Sequence, residues 1–279
     1  MDNTVEIGAH ANVSQYEASE SHEAGEPSLG SRFRHGLAEM IRRVGPPFFV
    51  AMAAVTLVSS VVGLLLKNTF ENSALVRFDY RLAEDLEASR TATLDDLTGI
   101  GTFFADPLPV AVVWFVAVVV TAVVLRHWRP PLFFMVAIGG EKLSYLFTTL
   151  VVDRPRPEVE TVGKVHVTSS YPSGHVGSAV SLWAGLALLV MTLLVGRLHK
   201  RAVIVSLLVG LFFALEVGYS RLYRGHHFFT DVLAGVAIGA AWVVIAYKVV
   251  LVPYLEQHRN ERRKPTLSAP IQTQRTTLS

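Results

Sequence analysis

Ser220-Arg221-Leu222-Tyr223-Arg224-Gly225-His226-His227-Phe228-Phe229-Thr230-Asp231 stands between two apolar runs, residues 202–219 before it and 232–251 after it. Each run is long enough to cross a bilayer as a helix. Unpaired backbone is not tolerated in lipid, so helices are the expected form. The polar stretch between them is then a tight connection at one membrane face. It carries two arginines, two histidines and an aspartate. Working outward, further apolar runs occupy 47–66, 107–125, 132–152 and 174–195, which makes six. The fold class predicted is all-α, a bundle of six membrane-spanning helices.

Composition agrees with this reading. Of the 279 residues, 51% are hydrophobic and only 17% charged, and the apolar ones fall in blocks rather than alternating with polar positions. The absence of cysteine excludes disulfides, thiolate nucleophiles and Cys-ligated zinc. A net charge of +2 gives no reason to expect a nucleic-acid partner. Residues 1–40 are polar, lack the apolar run of a cleavable signal peptide and read as a disordered tail. A membrane domain follows over 41–255, then a polar tail over 256–279.

The charges between the runs predict orientation. Arg32, Arg34, Arg42 and Arg43 precede the first run, and Arg126 and Arg129 separate the second from the third. Arg197, Lys200 and Arg201 separate the fourth from the fifth, and Arg259, Arg262, Arg263 and Lys264 follow the sixth. The positive-inside rule places all four groups, and both tails, in the cytoplasm. The expected location is the plasma (cell inner) membrane, with the other loops extracytoplasmic. The first of these, 67–106, carries Leu75, Phe78, Leu82 and Leu86 at helical spacing among Asp79, Glu84, Asp85 and Glu87. That pattern predicts a short amphipathic helix at the outer interface, or a solvated connector packed on the bundle.

The other two outer loops hold the residues suited to phosphate chemistry. Arg156 and Arg221 can each bind a phosphate with a planar, permanently charged fork. Ser173 and Gly174 lie where the fourth run begins on the outer side, and a helix N-terminus offers free N–H groups and partial positive charge to an anion. The Ser173 hydroxyl can cap that helix or donate, and Gly174 allows close approach. His227 can act as a nucleophile if a partner fixes its tautomer, and Asp231, four residues on, is the expected partner. His175 is then available as general acid. Outside these segments no His/Asp cluster has the spacing of metal ligands, so neither a metal nor a cofactor is expected.

The chain resembles the type 2 phosphatidic acid phosphatase superfamily, the integral-membrane lipid phosphatases. Two of its motifs are complete: Pro-Ser-Gly-His as Pro172, Ser173, Gly174 and His175, and Ser-Arg-x5-His-x3-Asp as Ser220, Arg221, His227 and Asp231. The resemblance spans about residues 47–251. It implies a metal-independent, two-step reaction through a phosphohistidine on His227, with His175 as acid and then base, Asp231 orienting His227, and Arg156, Ser173, Gly174 and Arg221 holding phosphate oxygens. It implies as substrate a membrane lipid: a polyprenyl pyrophosphate, a phosphatidate-like lipid or a polyprenyl-phosphate-linked sugar phosphate.

The remaining motif, Lys-x6-Arg-Pro, departs from the pattern. Arg156-Pro157 matches its end, but Thr149 stands where the lysine belongs. Lys142 lies another seven residues back, about 10.5 Å deeper along a helix and beyond direct replacement. Arg154 or Lys164 is expected to supply the charge. The alternative is a catalytically weak or inert membrane protein that binds lipid phosphates in the same pocket.

Overall fold

The computed structural model describes residues 29–163, 169–195 and 200–263. Among them all regular elements are helices: α1 (Leu29–Asn68), α2 (Ala74–Ala88), α3 (Ala92–Phe103), α4 (Pro107–Leu125), α5 (Arg129–Val152), α6 (Gly174–Ala179), α7 (Gly185–Val195), α8 (Lys200–Tyr223), α9 (Phe229–Ala246) and α10 (Val252–Arg263). Wider π-type turns join α6 to α7 over Val180–Ala184 and α9 to α10 over Tyr247–Leu251. Six stretches of the described residues are long and apolar enough to cross a membrane: Ala38–Asn68, Ala92–Leu125, Arg129–Val152, Gly174–Thr192, Lys200–Tyr223 and Phe229–Gln257.

The chain divides into two compact units, one through Arg43 and one from Val44. In the first, α1 begins at Leu29, inside the stretch expected to be disordered, and Glu39 pairs with Arg43 at 3.1 Å. Most of the expected tails, 1–28 and 264–279, lies outside the described residues. The second unit holds the bundle. Leu57, Val123, Leu150, Leu208 and Leu215 are each more than half exposed, as lipid-facing residues must be.

In the bundle α9 is the central element, packing on both α5 and α6. Gly235 and Gly239 make the second contact close. A methyl on Gly235 would strike the Ser173 carbonyl oxygen, and one on Gly239 would stand 2.5 Å from that of Gly177. The Gly-x3-Gly pair therefore serves backbone-to-backbone packing within the chain. It locks the His227–Asp231 segment against the Pro-Ser-Gly-His segment. At the same end, Lys67 of α1 donates to the carbonyls of Val152 (3.1 Å) and Asp153 (2.7 Å), satisfying the C-terminus of α5.

The amphipathic helix expected in the first outer loop is present as α2. Its buried residues are Val76, Asp79 and Ala83, whereas Leu75 and Phe78 are 47% and 42% exposed. Leu75 and Phe78 face outward, Leu82 and Leu86 are half-buried, and an aspartate enters the protein. The connector continues as α3, which breaks at Phe104–Asp106 before α4.

Candidate active site

The loop before α9 sets the first histidine. Gly225, at φ +71, turns the chain between the α8 arginines and the histidines, and a methyl there would meet Val159 and the Glu160 carbonyl. His227 follows, 4% exposed, with Nδ1 2.6 Å from the Ser170 carbonyl oxygen. A carbonyl only accepts, so Nδ1 carries the proton and Nε2 keeps its lone pair.

Asp231 is not the hydrogen-bond partner of His227; its Oδ2 is 3.9 Å from Nδ1. Helical i,i+4 geometry does not apply, because α9 begins at Phe229 and His227 precedes its N-cap, Phe228. The carboxylate instead accepts from the Phe228 N–H (2.8 Å), closing the first turn of α9, and from Arg154 Nη1 (2.6 Å). Asp231 holds the turn from which His227 projects, and Ser170 holds the ring.

Arg154, expected as an auxiliary cation, is engaged by other side chains of the protein. Its Nη2 donates to Asp79 (2.9 Å) and its Nη1 to Thr230 Oγ1 (2.7 Å) as well as Asp231. Asp79 also accepts from the Thr230 N–H at 3.0 Å and its hydroxyl at 2.5 Å. Burial disfavours the Arg154 charge, but Asp231 and Asp79 outweigh it and hold the guanidinium above its ordinary range. Thr149 lies in the last turn of α5, buried, with its hydroxyl unpartnered among the described residues. Lys164 lies outside the described residues.

Lys142 is closer to the site than helix rise alone suggested. α5 packs beside α6, so a position deep on α5 meets the first turn of the Pro-Ser-Gly-His helix. Its ammonium stands 3.4 Å from the Gly174 carbonyl oxygen, against the Ser178 hydroxyl, and 3.6 Å from Glu141.

Around His227 the structure gathers the other expected residues. Burial first, then the charges of Arg221, Arg156 and His175, depress the His227 pKa well below 6.5, so the ring is neutral. Arg156 Nη1 donates to the His226 carbonyl at 2.5 Å, and Arg221 Nη1 to Thr102 Oγ1 at 3.1 Å. Ser173 makes no side-chain cap; its N–H donates to the Asp231 carbonyl (2.9 Å) and its hydroxyl is buried without a partner among the described residues. The same holds for Arg221 Nε. Gly174 has a packing reason to be glycine, since a methyl there would stand 2.8 Å from the Tyr145 ring.

Residues missed by the sequence reading complete the site. Asp106, the N-cap of α4, lies 3.2 Å from His175 Nε2. Its one local signal is its place before Pro107, which reads as a helix start. Ser170 acts through its backbone, which no side-chain pattern reveals. Ser220 anchors α8 to α3 by donating to the Thr98 carbonyl at 2.6 Å.

Two histidines, one with its Nε2 lone pair available and one carboxylate-paired, stand beside buried arginine and hydroxyl donors at one end of a helix bundle, groups of the kind that phosphoryl transfer uses. Residues 110–253 match the PAP2 superfamily, and the chain belongs to it. It is an integral membrane protein. Phosphatidylglycerophosphatase B of Bacillus subtilis (strain 168) is 33% identical over 109 residues, 39% of this chain and 52% of that one, so the chain matches about half the length of this curated relative. The fold is similar to that of a transmembrane PAP2-type phosphatidylglycerolphosphate phosphatase from Bacillus subtilis, with a TM-score of 0.58 and 20% identity over 78% of this chain and 98% of that one. Aquifex aeolicus LpxE aligns at a TM-score of 0.45 and 20% identity, over 61% and 95% of the two chains.

Proposed function

We propose that the chain is a metal-independent lipid phosphatase that works through a phosphohistidine at the outer leaflet. The observation that carries this is the His227 ring: buried, neutral, held at Nδ1 by the Ser170 carbonyl, and faced by Arg156, Arg221 and His175. His227 Nε2 attacks phosphorus while the bond from phosphorus to the lipid oxygen breaks. The electron pair leaves with that oxygen, which takes a proton from His175, oriented by Asp106. Water then attacks the phosphohistidine, giving its proton to His175, and the P–N bond breaks to release phosphate and restore Nε2. Arg156, Arg221 and the Ser173 hydroxyl stabilise the oxygens of both transition states.

Two features support a lipid substrate and an outward-facing site. A groove of about 590 Å³ between α1 and α9, lined by Val58, Val62, Leu233, Ala237 and Ile238, runs up to Tyr171 and Thr230 beside the site. It offers apolar surface to a hydrocarbon tail while the headgroup meets the arginines. The charge pattern of the loops supports an outer position for that end of the bundle. Labelling of Glu158→Cys by an impermeant maleimide on intact cells is expected; labelling only after lysis reverses the topology.

The central test uses purified full-length protein, EDTA and a lipid phosphate labelled with ³²P at its terminal phosphate. Quenching in alkaline SDS is expected to trap an acid-labile, base-stable phosphoprotein, absent in His227→Ala. Turnover in that variant above about 1% of the parent removes the histidine nucleophile.

A further inference from the structure

Beyond His227 the cationic surface continues into groups that the reaction above does not use. The neighbouring His226 is 2% exposed, and neither ring nitrogen has a hydrogen-bond partner among the described residues. The Val162 backbone lies beside the ring but outside hydrogen-bonding geometry. Burial, then Arg221, Arg156 and Arg224, push its pKa down to about 3, so it is a neutral ring with one N–H to donate.

Arg224, one turn after Arg221 at the end of α8, is half-buried. Its Nη1 donates to the Asp95 carbonyl (3.0 Å) and the Thr98 hydroxyl (3.3 Å), which fixes the guanidinium beside the site. Gly163 crosses its Nη2 so closely that a methyl there would stand 2.9 Å away.

Arg154 shows how this chain treats a buried guanidinium that has only a structural role: it surrounds it with Asp79 and Asp231. Arg221 is equally buried, at 4%, yet neither it nor Arg224 has a carboxylate in ion-pair range among the described residues. Uncompensated buried charge is costly unless an anion completes it. Arg224, like Arg221 and Arg156, acts electrostatically on His226, the residue next to His227 in the chain. Arg221 is in turn within reach of Asp106, which holds the general acid. Cationic and N–H donor groups thus continue beyond those that the reaction at His227 uses.

We propose that Arg224 and the His226 ring form a subsite for a second phosphate group, adjacent to the phosphate that is hydrolysed. This rests on the phosphatase reading and narrows it to lipids carrying two phosphates. One source is the inner phosphate of a lipid diphosphate; the other is the phosphodiester of a phosphatidylglycerol phosphate.

The test compares kcat/KM on a polyprenyl diphosphate, phosphatidylglycerol phosphate and phosphatidate in the same detergent micelles, for parent, Arg224→Gln and Arg224→Lys. One charge-assisted contact is on the order of tenfold to a hundredfold. Arg224→Gln is expected to lower the ratio of a two-phosphate substrate to phosphatidate by at least about tenfold, with part of it regained in Arg224→Lys. The substrate whose ratio collapses identifies the source. Equal losses on all three lipids, or none, overturn the subsite while leaving the phosphatase reading intact. If the parent hydrolyses none of them, the phosphatase reading fails separately, and binding decides the subsite. Calorimetry on full-length His227→Ala should then show inorganic diphosphate binding at least about tenfold tighter than orthophosphate, a preference erased by Arg224→Gln. Equal affinities overturn the proposal.

Discussion

Replacing Asp79 by alanine is expected to free α2 from the bundle. The carboxylate is 1% exposed and takes hydrogen bonds from Arg154 Nη2, the Thr230 N–H and the Thr230 hydroxyl, at 2.9, 3.0 and 2.5 Å. Its loss leaves a buried N–H unsatisfied and Arg154 with one carboxylate instead of two. Breaking a buried, hydrogen-bonded pair from one side costs about 3–5 kcal/mol. The other fully buried side chains of α2, Val76 and Ala83, are small, and Phe78 and Tyr80 add ring contacts with Phe229 and Phe228, so the ion pair is a major part of its hold. At about 1.4 kcal/mol per decade, a loss of 3 kcal/mol raises the open fraction of α2 about a hundredfold.

The chain has no cysteine, so Val76→Cys gives a single thiol, at a position 2% exposed, that reacts only when α2 opens. Its maleimide labelling rate should rise about a hundredfold with Asp79→Ala. A cycle with Arg154→Met should be less than additive by at least about 2 kcal/mol, because each single change strands the partner's charge. A rate within about threefold of the parent, or additive changes, would show that the pair does not hold the helix.

Three further outcomes follow from the geometry. His175→Ala should slow release of a lipid alkoxide by about 10²–10⁴ but an aryl phosphate far less, since only the poor leaving group needs the proton; equal losses on the two substrates remove His175 from that role. His226, ordinarily near 6.5 and depressed to about 3 when folded, binds its proton only in the unfolded chain between those values. Stability therefore rises with pH across that window and is lost as pH falls below 6.5, by about 2 kcal/mol from pH 7 to pH 5 for this residue. His226→Gln should remove that share of the acid loss in thermal unfolding in detergent; an unchanged slope contradicts a buried neutral ring. Gly235→Ala drives a methyl into the Ser173 carbonyl and should cut kcat/KM at least about tenfold, whereas Gly139→Ala, with nothing within 4 Å, should not; matching activities would deny that this contact sets the site.

What the sequence revealed and what it hid divide along a physical line. Helix-length apolar blocks separated by charged loops are local, one-dimensional signals, and the bundle follows them. The usual rule of burial fails on α2, however. The stripe of Leu75 and Phe78 on α2 faces outward, and the inward residue is Asp79, whose partners Arg154 and Thr230 lie 75 and 151 residues away. No periodicity encodes such a pairing. Spacing also failed where a helix boundary intervened: His227 and Asp231 are four apart, but the helix starts between them, so the Ser170 carbonyl, 57 residues away, takes the ring instead.

The same boundary explains why Asp231 belongs in the motif without hydrogen-bonding His227. Its two oxygens join the first turn of α9 to Arg154, and through Arg154 and Thr230 to α2. One carboxylate therefore fixes the turn that carries His227, while its backbone carbonyl receives the N–H of Ser173. The turn that carries His227 and the Pro-Ser-Gly-His segment thus both depend on Asp231, so its removal should disturb both together. Asp231→Asn keeps the shape and an acceptor but loses half of the charge that compensates Arg154, and its kcat should fall even though the Ser170 bond to His227 survives.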